Sequence, residues 1–172
     1  MLTTRRFAAC ILAASALVLV TALMSQYWGG LRPCELCLLQ RWPWTIAITI
    51  SLVALLAGGR RGVLPWLALA LGAVFAVSAA FAFYHVGVEQ HWFAGPSACT
   101  ATGGGNPAAM TLDEMKRQIL GTAPVLCDQV QWSLFGVSLA GWNLLASLAM
   151  AALCGVVFVR TRRRAARSAV PA

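Results

Sequence analysis

Long runs without charged residues divide this chain and predict its helices. Four apolar runs contain no Asp, Glu, Lys or Arg over at least 18 residues, and a fifth charge-free stretch, 90–112, is rich in Gly, Pro, Ser and Thr and indicates a loop. A helix needs about 20 residues to cross the hydrocarbon core of a bilayer. A membrane barrel would alternate apolar and polar positions, whereas these runs are nearly continuous Ala, Leu, Val and Ile. We predict four transmembrane helices, at residues 7–27, 42–59, 63–85 and 134–159.

The composition supports a membrane protein and excludes several other classes. Hydrophobic residues make up 60% of the 172 residues and charged residues 10%, against about 45–50% and about 25% in an ordinary soluble domain. Disorder requires low hydrophobicity, and six cysteines are too few for a disulfide-dense scaffold of this length. The net charge of +8 would suit a nucleic-acid-binding protein, but so few charged residues cannot form a solvated basic face. The prediction is one integral membrane domain over residues 1–172, an all-α four-helix transmembrane bundle.

The positions of the charges predict the orientation of the helices. Four spans put both termini and the segment between spans two and three on one side, which receives nine arginines and no acidic residue. The other side receives four cations and five acidic residues. Because Lys and Arg that flank spans stay in the cytoplasm, both termini and the basic tail 160–172 are predicted to be cytoplasmic. Loops 28–41 and 86–133 then lie on the outer side, which in a bacterium is the periplasm.

The first apolar run has a second interpretation, a secretory signal peptide preceded by Arg5 and Arg6. Its apolar core is longer than the roughly 7–15 residues of a signal peptide, and no convincing small-x-small cleavage site follows it. Tyr27 and Trp28 resemble interfacial aromatic residues instead. We therefore favour a retained span.

The cysteines follow the same division between the two sides. Four of the six lie in the predicted outer loops: Cys34, Cys37, Cys99 and Cys127. Because the periplasm is oxidising, an even set of cysteines there predicts redox chemistry or disulfides. Cys34 and Cys37 form a C-x-x-C motif after Pro33, where the N-terminus of a helix would stabilise a thiolate. Static disulfides and a zinc site are the alternatives, although zinc would want a second close pair or histidine ligands.

Neighbouring residues favour redox chemistry over a static link. Arg41 lies one helical turn after Cys37, where a fixed cation would stabilise charge developing on an electron acceptor; the alternative is an arginine that reaches lipid phosphate. Glycine-rich sequence follows Cys99 and predicts a flexible tether. In the same loop, Thr111 and Glu114 have the spacing of a capping box, which predicts a short amphipathic helix.

These residues together resemble the disulfide bond formation protein B (DsbB) family of bacterial inner membranes. The resemblance covers about residues 5–160, and the ordered set of four cysteines with the arginine is its most specific part. It is carried by Cys34-x-x-Cys37 with Leu38-Leu39-Gln40-Arg41, by Tyr84-His85-x-Gly87-x-Glu89, by Cys99 and Cys127, and by 132–143 at the start of the last span. One position departs from the pattern, since some members have an acidic residue where this chain has Gln40.

The resemblance implies a thiol:quinone oxidoreductase. Such a protein re-oxidises a periplasmic thioredoxin-like dithiol oxidase of the DsbA type and passes the electrons to membrane ubiquinone or menaquinone. By this resemblance, Cys99 would form the mixed disulfide with the partner and Cys127 would be its disulfide mate. Cys34 would exchange with that pair, Cys37 would face the quinone, and Arg41 would lie beside the quinone ring. The resemblance implies neither a metal nor a nucleic acid.

Three other functions stay open from the sequence alone. The first is a non-enzymatic four-span scaffold whose loops are joined by static disulfides. The second is a membrane protein that binds a metal through its four outer cysteines. The third is a quinone reductase of the vitamin K epoxide reductase type, in which the C-x-x-C motif is expected late in the chain, whereas here it is early.

Overall fold

Four helical spans make up most of the structure, a computed structural model that describes residues 3–58, 62–96, 112 and 126–168. The described elements are α1 (Thr4–Tyr27), α2 (Glu35–Leu39), α3 (Arg41–Leu56), α4 (Leu64–Glu89), β1 (Ser133–Leu134), β2 (Val137–Ser138) and α5 (Leu139–Ser168). Helices α1, α4, α5 and the pair α2–α3 are each long and apolar enough to cross a membrane. The predicted all-α bundle of four transmembrane helices is confirmed. The predicted short amphipathic helix lies outside the described residues, apart from Leu112.

The bounds of the last span differ from the prediction. Helix α5 begins at Leu139, not near residue 134, because β1 and β2 pair as a small antiparallel hairpin just before it. Phe135 and Gly136 form its two-residue turn with φ of 53° and 77°, the positive values that a type I′ turn requires. Helix α5 also continues to Ser168 through most of the predicted tail. The hairpin holds the start of α5 beside the end of α4.

The break between α2 and α3 sets the direction of the residues that follow the C-x-x-C motif. Gln40 is the C-cap of α2 and the residue before α3. Its side chain is buried while that of its neighbour Arg41 is only half-buried. These two consecutive side chains therefore lie in different surroundings, one buried and one half-buried. We call the end of the bundle that carries Cys34 and Cys37 the cysteine end.

The core of the bundle lies between paired helices. Helix α1 packs against α3, and α4 packs against α5 along most of its length. Ser78 of α4 and Ser147 of α5 are fully buried, and their hydroxyl oxygens lie 2.8 Å apart in an interhelical hydrogen bond. Large apolar side chains such as Val53, Leu56 and Leu145 are exposed on the outside of the bundle. This distribution suits lipid contact, because tight helix association in lipid depends on small residues and hydrogen bonds.

A glycine permits the close approach of α4 and α5, and this gives a first prediction. A Cβ atom at Gly72 would lie 3.3 Å from the Cβ of Cys154, whereas a Cβ at Gly155 would meet nothing within 4 Å. We expect Gly72→Leu to destabilise the protein by about 1–3 kcal/mol through overpacking. Gly155→Leu, the matched control on the lipid side, should be neutral or slightly stabilising. Thermal unfolding in detergent micelles checks the difference; equal melting temperatures would contradict this packing.

Candidate active site

Cys34 and Cys37 are positioned by the first turn of α2. Cys34 is the N-cap, with extended backbone angles (φ −76°, ψ 173°), and its sulfur accepts the backbone N–H of Cys37 at 3.3 Å. The Cys34 thiol also donates to Cys37 Sγ at 2.9 Å. Cys34 is buried, whereas Cys37 is half-buried. The local helix start therefore aims both sulfurs at each other and gives them different access to their surroundings.

The two thiols differ in their readiness to ionise. The hydrogen bond to Cys37 and burial together raise the pKa of the Cys34 thiol to about 12. Cys34 lies just before the second span, and the hydrogen bond that it donates to Cys37 keeps the proton on the Cys34 sulfur. Because the Cys37 sulfur accepts this hydrogen bond, negative charge in the reduced pair is stabilised on Cys37.

A relay of hydrogen-bonded side chains, all buried except the half-buried Asn143, reaches Cys34 from the bundle. Trp44 Nε1–H donates to Asn143 Oδ1 at 2.8 Å, and Asn143 Nδ2–H donates to Gln40 Oε1 at 2.5 Å. Gln40 Nε2 lies 2.7 Å from His85 Nδ1, and His85 Nε2 lies 3.6 Å from Cys34 Sγ. We call Trp44, Asn143, Gln40 and His85 the relay. It joins α3, α5 and α4 to the C-x-x-C motif.

Glu89 lies one turn after His85 on α4 and is held by the hairpin. Ser138 donates its hydroxyl to Glu89 Oε2 at 2.5 Å and accepts the backbone N–H of Gly141 at 3.1 Å. Glu89 Oε1 is 4.0 Å from His85 Nε2, which is beyond hydrogen-bond distance for nitrogen and oxygen. The Glu89 side chain is therefore a neighbour of the site that has its own hydrogen-bond partner.

A cavity of about 390 Å³ opens at the cysteine end between α1 and α5. Its size is within the range of about 300–1,000 Å³ found for small-molecule sites. Helix α1 contributes an apolar wall that includes Leu17, Val18 and Ala22, and α5 contributes Leu139 and Ala146. The polar end of the cavity is lined by Gln26, Cys34, Cys37, Gln40, Arg41, His85, Glu89 and Asn143. One half-buried sulfur thus faces a mainly apolar space with a cation beside it.

Arg41 is oriented across the cavity by α1. Its guanidinium donates through Nη1 to Gln26 Oε1 at 2.7 Å. Arg41 and Cys37 line the same cavity, and the sequence-based interpretation of Arg41 as a cation near the cysteine pair stays a prediction. A guanidinium has five N–H donors in a fixed plane, which suits it to carbonyl or anionic oxygen atoms.

Cys127 comes from the second predicted loop to the same place. It is buried and belongs to the small cluster formed by Cys34, Leu36 and Val88, against which Cys37 packs. Three of the four predicted site cysteines are thereby brought together from segments far apart in the chain. Cys99, the fourth, lies outside the described residues.

The sulfurs and the histidine nitrogen meet part of the requirement for a metal site. Donor atoms of Cys34, Cys37 and His85 lie within 4.8 Å of one another. Two thiolates on one tetrahedral zinc, with Zn–S bonds of about 2.3 Å, would lie about 3.7 Å apart, whereas these sulfurs are 2.9 Å apart. His85 is also bonded at both ring nitrogens. The described geometry favours a hydrogen-bonded dithiol over a zinc site.

The sequence-based interpretation missed the relay. Trp44 is 2% exposed and packs on Phe75 with ring centroids 5.2 Å apart. His85, Gln40 and Asn143 were not assigned a role as site residues. A signal for them was present, because polar residues inside apolar runs are costly in a membrane and tend to be functional.

The pKa of Cys34 gives a second prediction, on the order of alkylation of the reduced protein. We expect iodoacetamide near neutral pH to modify Cys37 first. Because the pKa of Cys34 is raised to about 12, its thiolate fraction should stay small and its modification rate should rise with pH throughout the accessible range. Mass spectrometry of each cysteine measures both rates.

Two results make this prediction decisive. In Cys37→Ala, which removes the acceptor of the Cys34 proton, the Cys34 profile should move to lower pH. A Cys34 rate in the wild type that levels off near neutral pH would contradict the raised pKa.

Comparison with known proteins agrees with this geometry. The profile of the family described as disulfide bond formation protein DsbB matches residues 4–157. The chain is 31% identical to disulfide bond formation protein B of Stutzerimonas stutzeri, covering 81% of this chain and 85% of the relative. It is 30% identical to the protein of the same name from Acidovorax sp., covering 94% and 91%. No solved structure matches the chain. The chain therefore belongs to the disulfide bond formation protein DsbB family, and its role lies in disulfide bond formation.

Proposed function

We propose that this multi-pass membrane protein re-oxidises a periplasmic thioredoxin-like dithiol oxidase of the DsbA type and passes the electrons to a membrane quinone. The observation that carries the proposal is the position of the C-x-x-C pair between two environments. Both sulfurs line the apolar-walled cavity with Arg41, and both contact the cluster that contains Cys127. Cys37 is half-buried and Cys34 is only 3% exposed. Cys37 is therefore the more accessible sulfur for an acceptor in the cavity, while Cys34 is a member of the buried cluster with Cys127.

The cavity fits a quinone in shape and chemistry. A quinone is a flat ring with two carbonyl oxygens and a long apolar tail, and when bound it supplies two-electron oxidation of a dithiol. Apolar walls from α1 and α5 suit the tail and the ring faces. Arg41 and Gln26 stand at the polar end, where N–H donors can hold a carbonyl oxygen. Ubiquinone and menaquinone share these features.

In the thiol–disulfide exchange steps, two electrons pass from one cysteine pair to the next until they reach the quinone. The partner's thiolate attacks the disulfide of Cys99 and Cys127, so one sulfur–sulfur bond forms as another breaks. The two electrons pass to the Cys34–Cys37 pair by a second exchange, for which the contact of Cys34 and Cys127 is suited. Cys37 then delivers them into the cavity, and the two thiol protons leave with them.

The reduction potentials explain why an acceptor of this kind is needed. A DsbA-type oxidase has a reduction potential of about −120 mV, among the most oxidising of protein dithiols. For a two-electron couple, each 30 mV is worth about 1.4 kcal/mol. A protein disulfide alone would re-oxidise such a partner uphill or near balance, so an acceptor of higher potential must withdraw the electrons. A quinone beside Cys37 meets that need.

The distribution of charges supports the orientation of the protein in the inner membrane. Nine arginines and no acidic residue flank the spans on the side of the termini. We therefore place both termini in the cytoplasm and the cysteine end toward the periplasm. This orientation gives the cysteines access to the oxidising compartment.

The experiment that tests the function uses the full chain in detergent micelles. A short-chain water-soluble quinone is mixed with the protein and a reduced thioredoxin-like dithiol oxidase, and quinone absorbance is followed. Quinone should be reduced only when both protein and dithiol are present. No reduction with any dithiol would favour a scaffold with static disulfides and overturn the proposal.

Arg41 gives a third prediction, which separates the two substrates. We expect Arg41→Gln to raise the KM for quinone by about tenfold while the KM for the dithiol partner changes little, because the guanidinium lines the cavity. Initial rates at varied concentrations of each substrate measure both constants. An unchanged quinone KM would instead favour the interpretation in which Arg41 contacts lipid phosphate.

A further inference from the structure

The relay has a fixed direction, because one of its members can only donate. The indole Nε1–H of Trp44 is a donor without acceptor capacity. It therefore holds Asn143 with Oδ1 toward the indole, at 2.8 Å. Asn143 must then present its NH₂ group to Gln40 Oε1, at 2.5 Å. Gln40 in turn must present its own NH₂ group to His85 Nδ1, at 2.7 Å.

This direction decides which ring nitrogen of His85 carries the proton. Because Nδ1 accepts from Gln40, the single proton of the neutral imidazole is on Nε2. Nε2 faces Cys34 Sγ at 3.6 Å, whereas Glu89 Oε1 is more distant at 4.0 Å. Among the described residues, the other titratable groups at this end are Cys34 and Cys37 of the α2 segment, Cys127, which packs with Cys34, and Arg41, which lines the same cavity; Ser138 of the hairpin is bonded to Glu89.

We propose that Trp44, Asn143 and Gln40 fix the tautomer of His85, so that His85 Nε2–H stabilises Cys34 as a thiolate whenever a sulfur–sulfur bond to Cys34 breaks. His85 is then a catalytic residue, since it touches a reacting sulfur. Trp44, Asn143 and Gln40 are positioning residues that act through it. The inference rests on the proposed function in that Cys34 exchanges disulfides.

The step in which His85 acts can be balanced explicitly. A mixed disulfide joins Cys34 to Cys127, and the Cys99 thiolate attacks the Cys127 sulfur. The Cys99–Cys127 bond forms, the Cys34–Cys127 bond breaks, and the bonding electron pair leaves on the Cys34 sulfur. His85 Nε2–H and the backbone N–H of Cys37 both point at that sulfur, so they receive the charge without moving. No net oxidation occurs in this step.

The direct test is the tautomer of His85 in the reduced protein, without quinone or partner. The chain has two histidines, so ¹⁵N-histidine labelling gives two sets of ring signals, and His91→Gln assigns them. We expect His85 Nδ1 to have the chemical shift of an unprotonated nitrogen and Nε2 that of a protonated one. The opposite tautomer, or an even mixture of the two, would overturn the proposal.

Variants then show that the relay, and not packing alone, sets the tautomer. Gln40→Glu keeps the size but only accepts, so it should place a proton on His85 Nδ1. Trp44→Phe removes the indole N–H donor while it keeps an aromatic ring, and it should yield a mixture of tautomers. Trp42→Phe is the matched control, since Trp42 is 66% exposed, and should leave the His85 signals unchanged.

A second measurement reports on Cys34 itself. In a Cys37→Ala background, the pH profile of Cys34 alkylation should move to higher pH by about one unit when His85 is replaced by Phe. An unmoved profile would show that His85 does not stabilise the thiolate. Neither measurement involves turnover. The proposed role of the relay can therefore be contradicted while quinone reduction is observed, and quinone reduction can be absent while the role of the relay is confirmed.

Discussion

We expect Cys37→Ser to abolish the transfer of electrons from dithiol to quinone, with a loss of roughly three orders of magnitude or more in turnover. Cys37 is the half-buried sulfur of the pair and the one that receives the hydrogen bond from Cys34. A serine hydroxyl has nearly the same shape but is not a thiolate nucleophile and cannot form a disulfide. Quinone absorbance in the presence of a reduced partner measures the loss.

The matched controls for this prediction are the cysteines away from the site. Cys10→Ser on the exposed side of α1 and Cys154→Ala in the core between α4 and α5 should keep wild-type turnover. Cys37→Ser should also accumulate a disulfide between Cys34 and Cys127, because these residues share one buried cluster. Peptide mapping without reduction detects it. Full turnover in Cys37→Ser would refute the assignment of the electron path.

The second large effect concerns the cavity. We expect Ala146→Trp to remove most of the quinone that co-purifies with the protein and to raise the quinone KM by at least about tenfold. Ala146 lies on the α5 wall of the 390 Å³ cavity, and an indole there would occupy the space proposed for the ring. Quantification of extracted quinone and initial-rate kinetics measure the two effects.

The same helix supplies the control. Ala149 is exposed on α5, so Ala149→Trp should leave quinone content and kinetics unchanged. Disulfide exchange with the reduced partner, measured in a single turnover without added quinone, should proceed in both variants. If Ala146→Trp binds quinone as the wild type does, the acceptor site is elsewhere.

The helices could be predicted from the sequence because lipid imposes a simple rule on it. A span must satisfy its own backbone hydrogen bonds, so a charge-free apolar run of sufficient length predicts a helix. The rule fails at the ends of spans, where the hairpin at 133–138 has replaced the predicted first turn of the last helix. Short-range turn chemistry around Gly136 decides that boundary, not hydropathy.

The sequence predicts only the part of the site whose residues lie close together in the chain. Cys34, Cys37 and Arg41 lie within two helical turns, so their proximity follows from the motif. The relay depends on the packing of α3, α4 and α5, with partners 45 positions apart for Gln40 and His85 and 103 apart for Gln40 and Asn143. One sequence shows that these residues are polar, but not that they meet.

The length of α5 has a consequence for the depth at which the protein sits in its membrane. Its 30 residues make a rod of about 45 Å, well beyond the hydrocarbon core of about 30 Å. Asn143 lies near one end, and toward the other end Arg162 lies 5.9 Å from the centre of the Trp66 ring. About 15 Å of this helix must therefore lie outside the hydrocarbon core, so the arginines at its basic end can reach anionic lipid headgroups and fix the depth of the bundle in the bilayer.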